Sequence, residues 1–116
     1  MKLKVLLFAY GHTGKYALES LSEKFDIIGI ITPKYSDELY RNNKESEVEK
    51  IAKEKNIEIF RESKMSEIEK IIDNNEPDIV VISSFNKIIP ERILKKSKFI
   101  NVHHGDLPRY RGRANF

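Results

Sequence analysis

The sequence contains no cysteine and no tryptophan among its 116 residues. Without cysteine, a disulfide framework, a thiolate zinc site and a cysteine nucleophile are all excluded. No apolar run approaches the ~18 residues that a membrane-spanning helix needs, so we expect no membrane partner. The apolar start of the chain has no small-residue cleavage site after it, and it predicts a buried strand rather than a signal peptide. These absences favour a cytoplasmic protein.

Hydrophobic residues make up 40% of the chain, which is enough to bury a core. The length suits one domain, because domains commonly have about 100–150 residues. The charge is uneven. Residues 95–116 carry six Lys or Arg against one Asp, whereas residues 1–94 carry 15 against 17 acidic residues. A basic segment is usually a solvated face, but it also attracts phosphate-bearing ligands or nucleic acid, and composition leaves both readings open.

Apolar runs alternate with helical patterns along the chain, with a polar loop predicted at Tyr35–Asn43. Buried strands are predicted at Lys4–Ala9, Ile27–Ile31, Ile57–Phe60, Asp78–Ser84 and Phe99–His103. Helices are predicted from an N-cap at Thr13, from a Ser46/Glu49 capping box to about Asn56, from a cap at Ser63, and over Pro90–Leu94 with proline in the first turn.

The order βαβαβαβαβ with continuous apolar strands predicts an α/β fold, in which a doubly wound, mainly parallel sheet of about five strands is covered by helices on both faces. Ligands of such folds bind at the carboxyl ends of the strands, where the strand order reverses. Three segments should meet there: Tyr10–Gly14, Phe85–Ile89 and Asn101–Asp106.

The first of these segments, Tyr10-Gly11-His12-Thr13-Gly14, follows a strand and opens a helix, which is the context of an anion-binding turn. It has neither the glycine spacing of a dinucleotide fingerprint nor that of a P-loop, and a tight structural turn is an equally good interpretation. The second segment, around Phe85–Ile89, could hold a flat heterocycle on its backbone amides or could be an ordinary connection.

The third segment is the most informative. Asn101 and His103 are two apart on a strand, so both side chains project from one face. An amide and an imidazole together can stabilise an oxyanion and move a proton, as acyl transfer requires. A metal site from His103, His104 and Asp106 is the alternative, but adjacent strand residues point to opposite faces, so we expect no metal.

Asn101-Val102-His103 followed by Leu107-Pro108-Arg109-Tyr110-Arg111-Gly112 resembles the N-x-H…L-P-x-Y-R-G signature of the folate-dependent formyltransferases. Phe8-Ala9-Tyr10, Pro77–Val81 and Ile88-Ile89-Pro90 stand in the order that this family shows. The resemblance implies a Rossmann-like N-terminal formyltransferase domain that uses 10-formyltetrahydrofolate as formyl donor and a primary amine as acceptor.

By this resemblance, Asn101 would bind the formyl oxygen, and His103 would stabilise the tetrahedral intermediate and move the amine proton. The formyl donor would bind at Phe85, Asn86, Lys87, Ile88 and Ile89. Arg109, Arg111 and Arg113 would lie at the acceptor side. Tyr10, Gly11, His12 and Thr13, in the turn after the first strand, are the other candidate residues for binding the acceptor. Arg113 and the Phe8-Ala9-Tyr10 run favour a nucleotide-linked amino sugar as acceptor, with methionyl-tRNA as the alternative.

The chain departs from the family pattern at Gly105 and Asp106, where serine and leucine are usual. The family also completes its site with an aspartate further along, and the sequence ends before that position. We therefore expect residues 1–116 to be one domain that is incomplete at its C-terminus, with an open sheet edge that favours pairing of two copies. A non-catalytic fragment that binds folate or a nucleotide, and RNA binding by the basic segment, are the rival interpretations.

Overall fold

The computed structural model describes residues 2–33, 46–62, 64–83 and 88–102. Their strands are β1 (Lys4–Phe8), β2 (Asp26–Thr32), β3 (Ile59–Arg61), β4 (Ile79–Ile82) and β5 (Lys98–Asn101). Their helices are α1 (Gly11–Leu21), α2 (Glu47–Glu54), α3 (Met65–Asn75) and α4 (Glu91–Leu94). In the described part of the chain, none of the helices has the length and apolar character needed to cross a membrane.

All four pairings in the sheet are parallel, and the strand order is β3-β2-β1-β4-β5. The chain thus builds outward from β1 to β3 and then returns to place β4 against the other side of β1. This reversal between β1 and β4 is the topological switch of a doubly wound fold. The predicted α/β class and five-stranded parallel sheet are confirmed.

The sheet is buried on both faces, as the continuous apolar strands predict. Alternate residues of β1 divide between two cores: Val5 and Leu7 pack with α1 and α2, whereas Leu6 and Phe8 pack with α3 and α4. All four side chains are 1% exposed or less. Because side chains alternate along a strand, each helical layer has its own set of core residues.

Three helix starts differ from the sequence-based prediction. Tyr10, not Thr13, is the N-cap of α1, because Gly11 adopts a φ of 66° that turns the chain directly from strand to helix. Lys64 rather than Ser63 is the N-cap of α3. Pro90 is the N-cap of α4 rather than a residue of its first turn, with extended backbone angles.

Strand ends also shift by one or two residues. β1 ends at Phe8 rather than at the predicted Ala9, and β4 ends at Ile82 rather than at Ser84. β3 ends at Arg61, one residue after the predicted end. The loop at 35–43, Ser63, Ser84 and the end of the fifth strand at His103 lie outside the described residues.

Candidate functional site

The carboxyl ends of β1, β4 and β5 are adjacent and in register. Ile82 pairs with Phe8 on one side and with Asn101 on the other. Beyond these pairs, the Ser83 N–H donates to the Phe8 carbonyl at 2.9 Å, and the Val102 N–H donates to the Ile82 carbonyl at 2.9 Å. The turn after the first strand and the end of the fifth strand are therefore at one edge of the sheet, beside the topological switch, as predicted.

Asn101 lies on the α4 face of the sheet. It lines a cavity of about 240 Å³ together with Ile82, Leu94 and Phe99. Its neighbour Val102 packs against the other core, beneath α1 and α2. The predicted alternation of side chains along β5 is thus present, and it places the half-buried Asn101 amide among three apolar side chains.

This cavity is small and mainly apolar. Drug-sized ligands usually occupy pockets of about 300–1,000 Å³, so a cavity of about 240 Å³ suits one flat ring system rather than a whole extended ligand. The amide of Asn101 can both donate and accept hydrogen bonds. An apolar wall with one amide at its rim therefore fits a heterocycle that continues toward the strand ends.

Ile88 and Ile89, just before α4, have opposite environments. Ile89 is 8% exposed and packs in the core beneath α3 and α4, whereas Ile88 is 92% exposed. The buried Ile89 fixes this part of the chain, and its neighbour leaves apolar surface open to solvent. Phe85, Asn86 and Lys87, predicted to bind the same ligand, lie outside the described residues.

The turn after β1 is held close to the sheet. A Cβ atom added to Gly14 would be 2.9 Å from the Ala9 Cβ and 3.2 Å from the Ala9 carbonyl carbon, so glycine lets the first turn of α1 pass directly over the end of β1. The Ser83 hydroxyl donates to the Thr13 carbonyl at 3.4 Å and links this turn to the end of β4. The turn lies on the α1 face of the sheet, and the cavity lies on the opposite face.

The remaining predicted site residues divide into two groups. Tyr10 is half-buried, Thr13 is exposed, and His12 belongs to the first turn of α1. His103, Arg109, Arg111 and Arg113 lie outside the described residues, as do His104, Gly105 and Asp106.

The described lysines of the basic C-terminal segment lie away from the cavity rim. Lys98 begins β5 and Asn101 ends it, so about 10 Å of strand separates them. Lys95 is 3.8 Å from Glu91, and Lys96 is 3.1 Å from Asp73. Lys95 and Lys96 are thus paired with carboxylates on the surface, as the solvated-face interpretation predicts.

Sequence reasoning missed three lining residues of the cavity. Phe99 could have been found, because it is two residues before Asn101 on the same strand and so shares its face. Ile82 and Leu94 come from β4 and α4, and no sequence spacing relates them to Asn101.

Comparison with known proteins gives a consistent assignment. The family model described as "Formyl transferase" matches residues 1–116. The chain is 36% identical to a methionyl-tRNA formyltransferase of Malacoplasma penetrans, over 96% of this chain and 36% of that protein. It is 33% identical to the methionyl-tRNA formyltransferase of Dictyoglomus thermophilum, over 97% of this chain and 38% of that protein.

The fold is also similar to that of a formyltetrahydrofolate deformylase from Pseudomonas syringae, with a TM-score of 0.68, 17% sequence identity, and coverage of 98% of this chain and 40% of that one. The chain thus spans well under half the length of each of these three proteins.

Proposed function

The chain belongs to the formyl transferase family, and from this premise we propose that its protein transfers a formyl group from 10-formyltetrahydrofolate to the amino group of methionyl-tRNA. The cavity at the ends of β4 and β5 is the observation that carries this proposal. Its apolar wall fits a flat ring of the donor, and its one amide, on Asn101, lies at the carboxyl edge where ligands of doubly wound folds bind.

Two features of the sequence, Arg113 and the run Phe8-Ala9-Tyr10, favoured a nucleotide-linked amino sugar as acceptor. The similarity to known proteins does not support that preference, because the two relatives described above, which match nearly the whole chain, are named methionyl-tRNA formyltransferases. Methionyl-tRNA, the alternative acceptor, is therefore the one we propose.

In the proposed reaction the acceptor nitrogen attacks the formyl carbon of the donor. A new C–N bond forms, the carbonyl becomes a tetrahedral oxyanion, and the bond to N10 of the folate then breaks as N10 takes a proton. Asn101 donates a hydrogen bond to the oxyanion, and His103 accepts the proton that the amine loses. Fixed donors are effective here because they need no reorganisation as the charge develops.

The two faces of the sheet suggest how the substrates are arranged. The donor would occupy the cavity on the α4 face, with Ile88 and Ile89 beside it. The acceptor would approach over the turn Tyr10–Thr13, on the α1 face, with Arg109, Arg111 and Arg113 supplying positive charge. The reacting atoms would then meet between the ends of β1, β4 and β5.

Several sequence-based expectations remain proposals. They are that residues 1–116 form one incomplete domain, that the protein is cytoplasmic, and that two copies pair through an open sheet edge. Among the described strands, β5 is an edge strand, and Ile100 on it is 40% exposed.

The test is formyl transfer by the complete native polypeptide that contains these residues, with methionyl-tRNA and an amino-sugar nucleotide offered as separate acceptors. We expect transfer to methionyl-tRNA and a kcat about 100- to 1,000-fold lower for Asn101→Ala. Asn74→Ala, which removes an exposed amide on α3, is the matched control and should keep full activity. Transfer to the sugar alone, donor binding without transfer to either acceptor, or an unchanged kcat for Asn101→Ala would each overturn the proposal.

A further inference from the structure

Four charged side chains connect α3 to α4 and form what we call the α3–α4 ion cluster: Glu69, Asp73, Arg92 and Lys96. Glu69 accepts a hydrogen bond from the Arg92 guanidinium through Oε1, and its Oε2 is 3.3 Å from the Lys96 Nζ. Lys96 Nζ is also 3.1 Å from Asp73 Oδ1. One carboxylate of α3 therefore holds cations from both ends of the short segment that contains α4.

Within the ion cluster, Glu69 and Lys96 are more buried than the Glu67–Lys70 pair of α3, whereas Arg92 and Asp73 are 60% and 51% exposed. The Glu69 side chain is 23% exposed and that of Lys96 is 31% exposed. In the Glu67–Lys70 pair within α3, the corresponding values are 42% and 70%. Solvent and salt screen exposed pairs strongly, so the Glu69–Lys96 pair is screened less than the Glu67–Lys70 pair. Consistent with this, the hydrogen bond from Arg92 lowers the pKa of Glu69, and the bond to Asp73 raises the pKa of Lys96.

Helix α4 needs such external support. It has only four residues, and a single isolated turn is unstable in water because nucleation is unfavourable. Ile93 anchors it in the core with 0% exposure. Arg92 and Lys96 stand two residues before and after Leu94, which lines the cavity beside Asn101. The ion cluster and the buried Ile93 therefore both hold the short segment that carries Leu94, which also packs against the core.

From this arrangement we propose that Glu69 is a positioning residue for the formyl-donor site, because it fixes α4 on α3 so that Leu94 keeps the shape of the cavity beside Asn101. Glu69 touches none of the reacting groups. It acts through Arg92 and Lys96, and the residues Ile88–Pro90 that lead into α4 are held with it. This inference rests on the proposed function, because it concerns the site of the formyl donor.

The test compares Glu69→Gln with Glu67→Gln in the complete native polypeptide. Both remove one carboxylate from α3, but only Glu69 contacts the segment that contains α4. We expect Glu69→Gln to raise the KM for 10-formyltetrahydrofolate roughly threefold to tenfold with kcat within a factor of about two, the range for residues that act through a packed network. Glu67→Gln should leave both constants unchanged. Arg92→Gln, whose side chain is 60% exposed, should reproduce the effect and serves if Glu69→Gln folds poorly.

Salt gives a second readout. Added salt should raise the donor KM more in the wild-type protein than in Glu69→Gln, because only the wild type has the full cluster to screen. A lower melting temperature with an unchanged donor KM in both Glu69→Gln and Arg92→Gln would overturn this inference. It would show that the ion cluster stabilises the fold without affecting the donor site. A wild-type protein without formyl transfer would instead overturn the proposed function, so the two failures are distinguishable.

Discussion

Glu49 of α2 and Arg61 at the end of β3 form a salt bridge in which the carboxylate is completely buried. Oε2 of Glu49 accepts a hydrogen bond from Arg61 Nε at 2.7 Å, with side-chain exposures of 0% for Glu49 and 32% for Arg61. Oε1 of the same carboxylate accepts from the Ser46 backbone N–H at 2.8 Å, which is one half of the predicted capping box. Glu49 thus fixes the start of α2 and joins it to the sheet.

Removing the guanidinium from this pair should destabilise the protein markedly. Arg61→Met is expected to lower the free energy of unfolding by about 3 kcal/mol, at the low end for a broken buried pair because Arg61 is partly solvated. Urea denaturation measures the change. Glu54→Gln, at an exposed position of the same helix, should shift it by less than about 0.5 kcal/mol. Equal shifts for the two variants would show that the Glu49–Arg61 salt bridge adds no more to the free energy of unfolding than an exposed charge does.

Alanine substitutions at Ile88 and Ile89 should have different effects on the stability of the protein and on binding of the donor. Ile89→Ala should lower the free energy of unfolding by about 2–4 kcal/mol, because it leaves a cavity in the core. Ile88→Ala should change it by less than about 0.5 kcal/mol, since that side chain is 92% exposed.

If Ile88 contacts the donor, Ile88→Ala should also weaken binding of a stable 10-formyltetrahydrofolate analogue about fivefold to tenfold, the effect of about 1 kcal/mol of lost apolar burial. Titration calorimetry on the complete polypeptide gives the affinity. An unaltered affinity for Ile88→Ala would remove Ile88 from the proposed donor site.

The α3–α4 ion cluster should also give stability a defined pH dependence. Arg92 holds the pKa of Glu69 below its usual value of 4.5, so the contribution of Glu69 is complete above that pH and is lost as the pH falls through the lower, folded-state pKa. Asp73 holds the pKa of Lys96 above its usual 10.5, so the contribution of Lys96 is complete below that pH and is lost as the pH rises through the higher, folded-state value.

The difference in unfolding free energy between the wild type and Glu69→Gln should therefore be constant from just above pH 4.5 to just below pH 10.5, and smaller on either side. Chemical denaturation across this range measures it. A difference that falls steadily through neutral pH would mean that groups other than these two determine the effect.

The sequence predicted the elements better than their ends. Continuous apolar runs located the five strands of the described residues, because burial on both faces of a sheet requires such runs. The N-cap of α1 was wrong by three residues because Thr13 has a good capping side chain, whereas the fold uses the positive φ of Gly11 to begin the helix earlier. Such ends depend on where strand pairing stops, and pairing involves residues distant in sequence.

For the candidate site, the sequence alone determined Asn101 on a strand, its separation from Val102 on the opposite face, and its place at the carboxyl edge. These follow from the two-residue period of a strand and from the order of the elements. Only the tertiary structure placed Ile82 and Leu94 beside the Asn101 amide. It also brought Arg92 and Lys96 to the same carboxylate, that of Glu69, and buried Glu49 against Arg61. Spacing along the chain fixes the face and edge on which a side chain lies, whereas its neighbours depend on how separate elements pack.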